Sequence, residues 1–140
     1  MAAKVEWDDR SIPGDEVLYR RVPVKPTFVG VDLISGEPYL QRAAFQWDED
    51  GISVYRRALL VALRLTPVSV LRNGNQDAYF FEVAAARACG AGVRDSPDDD
   101  DPLVGRAHAL IQCEADKPSK SRRREIQNAL AAAARPYAEG

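Results

Sequence analysis

The chain has 140 residues, of which 46% are hydrophobic and 29% charged, with a net charge of −2. That is the size and composition of one globular domain, able to bury roughly 68–70% of the surface its unfolded chain exposes. No apolar run is long enough to span a bilayer, and the near-balanced charge argues against a protein that coats nucleic acid through bulk positive charge.

Residues 1–15 are polar and close on Pro13-Gly14; they read as a flexible N-terminal arm ahead of a single globular domain over 16–140. Residues 16–22 alternate weakly about Val17, Tyr19 and Arg21, the period of a strand, and Pro23 and Pro26 stop it. Residues 27–41 read as irregular, punctuated by Gly30, Gly36 and Pro38. Residues 42–47 are predicted as a short strand. The acids and glycine at 48–51 mark a turn, and 52–55 resume as strand, which predicts a hairpin.

From Tyr55 or Arg56 to Leu65, the residues Leu59, Leu60 and Leu63 recur at helical spacing, with Arg56, Arg57 and Arg64 free to face water; Pro67 ends that helix. Residues 68–71 read as extended, and Asn73-Gly74 as a tight turn. The aromatic stretch 78–83 is a buried strand. Residues 84–89 form a short helix with Gly90 as its C-terminal stop. A strand fragment at 93–94, a surface loop at 98–101 and a strand at 106–113 follow. The last helix is capped by Ser119 or Ser121 and runs to about 135, with Ile126, Leu130, Ala133 and Tyr137 on its apolar face. This order predicts α+β: a small single domain with a mainly antiparallel or mixed sheet, two or three helices, and the C-terminal helix packed on the sheet.

The most conspicuous chemistry is a charge reversal. Asp95-Ser96-Pro97-Asp98-Asp99-Asp100-Asp101 is followed by the apolar stretch 107–111 and then by Lys117-Pro118-Ser119-Lys120-Ser121-Arg122-Arg123-Arg124. Cations in the first turn of a helix oppose its dipole, at about 0.3–1 kcal/mol each when exposed. The same geometry welcomes an anion, which would meet free backbone N–H groups and guanidinium forks together. Lys117, Lys120, Arg122, Arg123 and Arg124 are therefore the candidate anion- or partner-binding residues. The competing readings are that solvent carries these charges, or that aspartates 98–101 neutralise them within the fold.

Catalytic and metal signatures do not emerge. His108 is the sole histidine and alternates against Ala107 and Ala109; as a general base it would need an orienting carboxylate and a nucleophile, whereas a hydrogen-bonded structural histidine needs neither. The aspartate run misses the glycine and glutamate positions of a calcium loop. Gly90-Ala91-Gly92 follows a helix instead of opening one, so it is no dinucleotide fingerprint. Tyr79-Phe80-Phe81 reads as core before it reads as a base-stacking platform. Cys89 and Cys113 lack metal-like spacing and fit free thiols in the cytoplasm. No cofactor or metal is implied.

Several segments together resemble a loose group of small uncharacterised bacterial proteins. They are Leu18-Tyr19-Arg20-Arg21, Ala43-Ala44-Phe45 with Asp50-Gly51-Ile52-Ser53-Val54, Ala86-Arg87-Ala88-Cys89-Gly90-Ala91-Gly92-Val93, and the stretch around Ala107-His108-Ala109. The resemblance implies a self-contained fold and carries no activity. Arginine supplies 15 of the 19 basic residues, a bias of GC-rich bacterial coding.

The expectation is a non-enzymatic interaction or accessory module of a bacterial cytoplasmic system, docking to a protein partner through its basic C-terminal helix start. Nucleic-acid binding through the same cluster is the alternative, and an enzyme with His108 as base the second. No membrane contact is expected, and no pattern encodes the oligomeric state.

Overall fold

A computed structural model describes residues 7–138. Its organising element is β1 (Val17–Pro23), which pairs over its full length with β5 (Gln76–Glu82), in register from Val17↔Glu82 to Pro23↔Gln76. On its other side β1 meets β4 (Ile52–Arg56) at only two positions, Leu18↔Arg56 and Tyr19↔Tyr55. β7 (His108–Gln112) extends the sheet beyond β4, β6 (Gly92–Asp95) beyond β7, and the short β8 (Arg135–Pro136) beyond β5. The order is β6-β7-β4-β1-β5-β8, antiparallel at every step. β2 (Val29–Val31) and β3 (Pro38–Leu40) form a separate antiparallel hairpin.

Both faces of the sheet are covered. Leu18, Val22, Ile52, Val54, Tyr79, Phe81, Val93, Ala109 and Ile111 meet α2 (Val83–Ala88) and α3 (Lys120–Ala133), whose Ile126 and Leu130 are fully buried. On the opposite face Tyr19 and Tyr55 pack with Leu60 of α1 (Arg57–Ala62), Val70, Val104 and Ala107. Two covered faces make the strands apolar on both sides, which is why their alternation in the sequence is weak. The predicted α+β class, antiparallel sheet and sheet-packed C-terminal helix are present.

Four local expectations need correction. Residues 42–47 are not a strand. Arg42–Ala44 form a 3-10 turn, and Phe45 drives into the core edge-on to Phe81 at 5.7 Å, pulling the chain across the sheet face. The turn at 48–51 does form, with Gly51 at φ +144°, but the strand it launches pairs with β1 and β7, so the expected hairpin is absent. Residues 27–41 are not irregular: they contain the β2–β3 hairpin. Residues 67–70 make a 3-10 turn instead of an extended piece because Val70 turns inward to be buried.

Within the expected arm, residues 1–6 lie outside the described ones, and the following stretch is fastened down. Ile12 is buried, Asp9 N–H donates to Val93 O at 2.8 Å, and the Asp8 carboxylate accepts from Val93 N–H and pairs with Arg87.

The aspartate run folds its own loop. Asp98 accepts from Asp100 N–H, and Asp101 from the N–H groups of Leu103 and Val104 while pairing with Arg72 at 3.2 Å. Burial pushes the Asp101 carboxyl up, but those two N–H groups with Arg72 and Arg21 outweigh it and hold it below the usual carboxylate value. A carboxylate depressed in the folded state stabilises above its unfolded pKa and loses that contribution as pH falls through the folded value. Asp101→Asn is therefore expected to cost about 1 kcal/mol at neutral pH in urea titrations. The gap from the parent chain should close on acidification below the ordinary aspartate pKa.

Candidate functional site

The five basic residues at the start of α3 have different surroundings. Ser119 caps the helix, its Oγ accepting from Arg122 N–H at 3.1 Å. Arg122 has its backbone in the first turn of α3, but its guanidinium lies against the end of α2, donating to Cys89 O at 3.1 Å under Gly90. A cation is welcome at a helix C-terminus, so the unfavourable placement read from the sequence is relieved by where the side chain reaches. Glu114, at 3.0 Å, and Glu125 complete its partners and hold the guanidinium above its ordinary value. Arg123 is half-buried and donates to Pro118 O at 2.7 Å. Lys117 shares a shallow hollow with Arg123, Trp47, Asp48, Glu49 and Asp116. Lys117, Lys120 and Arg124 are exposed, and none makes an ion pair among the described residues. The glutamates, rather than the aspartates of 98–101, are what the fold sets against Arg122.

His108 Nδ1 lies 2.6 Å from Ser96 O and its ring meets Tyr55 edge-on at 5.5 Å. A carbonyl oxygen only accepts, so Nδ1 carries the hydrogen, and the ring has the surroundings of a structural histidine. Cys113 is buried, and burial pushes the half-buried Cys89 thiol up, away from the reactive thiolate. Among the described residues no group of three His, Cys, Asp or Glu side chains is placed to hold a metal, and no helix is long and apolar enough to cross a membrane.

A different surface stands out in the structure. The β2–β3 hairpin is anchored by Leu40, buried in the main core, with Phe28 and Val29 packed against that core. Its tip is tightly built. Asp32 Oδ1 accepts from Ile34 N–H at 2.8 Å and Ser35 N–H at 3.0 Å, Asp32 N–H donates to Glu37 O at 2.9 Å, and Gly36 takes φ +75°. Tyr39 lies across Gly30, where a Cβ would come within 2.4 Å of its ring. This bracing holds two aliphatic side chains outward: Leu33 and Ile34 are each 99% exposed, with Val31 and Tyr39 half-exposed along the same hairpin. Scattered exposed apolar residues are normal, but adjacent ones on a hydrogen-bonded projection form a patch. The signal was legible in principle as an adjacent aliphatic pair between an aspartate and a Ser-Gly.

Compared with protein-family models, with curated proteins and with solved structures, the chain finds no match.

Proposed function

We propose that this domain is a non-enzymatic interaction module that docks onto a protein partner through the tip of the β2–β3 hairpin. The observation that carries the reading is the full exposure of Leu33 and Ile34 on a loop braced by its own hydrogen bonds. Burying each such side chain in a partner would contribute about 1.5–3 kcal/mol. The bracing lowers the ordering cost that a floppy loop would incur on binding. Asp32 and Glu37 flank the pair, which disfavours an anionic lipid surface and favours a protein groove with polar rims.

A second reading keeps the basic end as the contact, supported by exposed Lys120, Arg124 and Lys117 without ion-pair partners among the described residues. It suits an acidic protein, or nucleic acid held through about three phosphates, with log affinity falling against log salt at a slope of about −3.

Three forms of the chain separate these readings by native pull-down and mass spectrometry: the parent, L33S/I34S and K120E/R124E. The expected result is a partner set retained by K120E/R124E and lost by L33S/I34S, with both variants within about 0.5 kcal/mol of parent stability because the sites are exposed. Loss confined to K120E/R124E would transfer the contact to the basic end. An unchanged set in both would overturn the docking function.

A further inference from the structure

The ladder between β1 and β4 ends after Tyr19↔Tyr55, and the two strands part from there toward Pro23 and Ile52. Two consecutive arginines of β1 sit in the wall of the resulting cleft. Arg20 stands in for the missing ladder: its Nε donates to Ala44 O and its Nη1 to Ser53 O, both at 2.6 Å, and its guanidinium lies 5.6 Å from the Phe45 ring centre. Arg21 Nη1 donates to Val70 O at 2.9 Å and its guanidinium lies over Tyr55 at 5.4 Å. Neither makes an ion pair among the described residues.

A guanidinium has five N–H donors, and each of these satisfies only part of its set. Among the described residues Arg20 Nη2 has no partner and no fully buried side-chain nitrogen or oxygen is left unpaired; Nη2 is therefore solvent-accessible, on a residue that lines the cleft. The cleft has a volume of about 270 Å³. Besides the arginines, its wall carries Gln46, Gln76 and Asp48, with Phe28 on the apolar side. Burial pushes the Arg20 guanidinium down to about 10, against the pull of Asp48 and with the push of Arg21, so this is a desolvated charge without a close counter-ion. Burying a charge without such a partner is costly, and a bound oxyanion would repay that cost.

We propose that this cleft binds a small molecule with a single carboxylate and a neighbouring hydrogen-bond donor, the chemistry of an α-hydroxy acid or a zwitterionic α-amino acid. The carboxylate faces Arg20 Nη2 within the field of Arg21, and the donor faces Asp48. The volume is below that of sites for drug-sized ligands, which sets the size class. Asp48 sets the charge class, because a carboxylate in the wall repels a dianion such as phosphate more than a monoanion.

The test is calorimetric titration of the full chain with lactate, glycine, acetate and inorganic phosphate, repeated on Asp48→Asn and Arg20→Lys. The parent should bind lactate or glycine with a Kd on the order of 1 mM, a reasonable limit for so few atoms, and phosphate roughly tenfold more weakly. Asp48→Asn, at an exposed position, should erase that preference by strengthening phosphate and weakening the hydroxy or amino acid. Arg20→Lys, checked for folding by circular dichroism, should lose binding because an ammonium lacks the planar fork. If Arg20→Lys does not fold, Asp48→Asn alone decides. Absence of saturable binding to the parent, phosphate binding as tight as the carboxylates, or an Asp48→Asn chain with unaltered preference would each overturn the site. L33S/I34S should bind these ligands like the parent, so the outcome here is separate from that of the hairpin.

Discussion

Replacing Arg56 by methionine is expected to destabilise the fold by about 3–5 kcal/mol, lowering the thermal midpoint by on the order of 10 °C. Arg56 Nε and Nη2 donate side by side to the two Glu16 oxygens, each at 2.9 Å, and Nη1 reaches Asp95 at 2.8 Å. The Arg56 and Glu16 side chains are only 12% and 7% exposed, so the pair escapes the solvent screening that makes surface ion pairs weak. The Glu16 hydrogen bonds lead the effects that hold the guanidinium above its ordinary value. Glu16 also accepts from Ala58 N–H at 3.3 Å, placing a carboxylate at the positive end of α1, which makes no side-chain cap of its own. One arginine thus ties the approach to β1, the end of β4, the start of α1 and the edge strand β6.

Removing it strands a nearly buried carboxylate, and that penalty dominates the loss. Pairing Arg56→Met with Glu16→Met should therefore recover most of the stability. A double variant as unstable as the single one, in urea unfolding at neutral pH, would show that packing and not charge is responsible.

Parts of the architecture were legible because a local signal coincided with a global one. The Leu59, Leu60 and Leu63 spacing found α1, Gly90 at φ +84° ended α2, and Ser119 capped α3. The parts that were missed are those in which a single long-range contact overrode the local pattern. Phe45 turned 42–47 away from strand because the core offered it Phe81. The 27–41 segment lacks a two-residue turn signature, since its loop is closed by the Asp32 side chain and a glycine four residues on. β8 has two residues, too few to leave any periodicity.

The basic run shows the same limit at the level of function. Charge and helix position were readable for Arg122, but the direction of its side chain depends on α2 ending close by, and no spacing within 117–124 encodes that. Arg20 and Arg21 are two adjacent letters of a strand in the sequence. They become notable only when β1 and β4 part and leave them without an ion-pair partner among the described residues. The hairpin tip is the reverse case: Leu33-Ile34 was visible, and only exposure distinguishes it from core.

Gly92→Ala is expected to release the strap formed by residues 8–12, at a cost of about 2–4 kcal/mol. A Cβ on Gly92 would stand 2.2 Å from Asp8 Cβ and 2.8 Å from Asp8 Cα, and that second contact is with backbone, which a change of side-chain rotamer cannot relieve. Moving Asp8 breaks its bonds to Val93 N–H and Arg87 together, and the Asp9 N–H bond to Val93 O goes with them. Ile12, 1% exposed, would then lose its burial.

The consequence extends beyond stability. β6 is an edge strand, and the strap's bonds to Val93 are what cover it. An uncovered edge offers unpaired backbone groups to another chain. The variant should therefore self-associate at concentrations where the parent does not, and its Val93 amide should exchange hydrogen faster in proportion to strap opening. Asp8→Ala, which leaves the backbone path clear, should give a smaller loss of stability in the same direction. A Gly92→Ala chain with parental stability and parental Val93 protection would mean that the strap shifts aside without letting go, and the edge would have to be guarded by something other than Asp8 and Asp9.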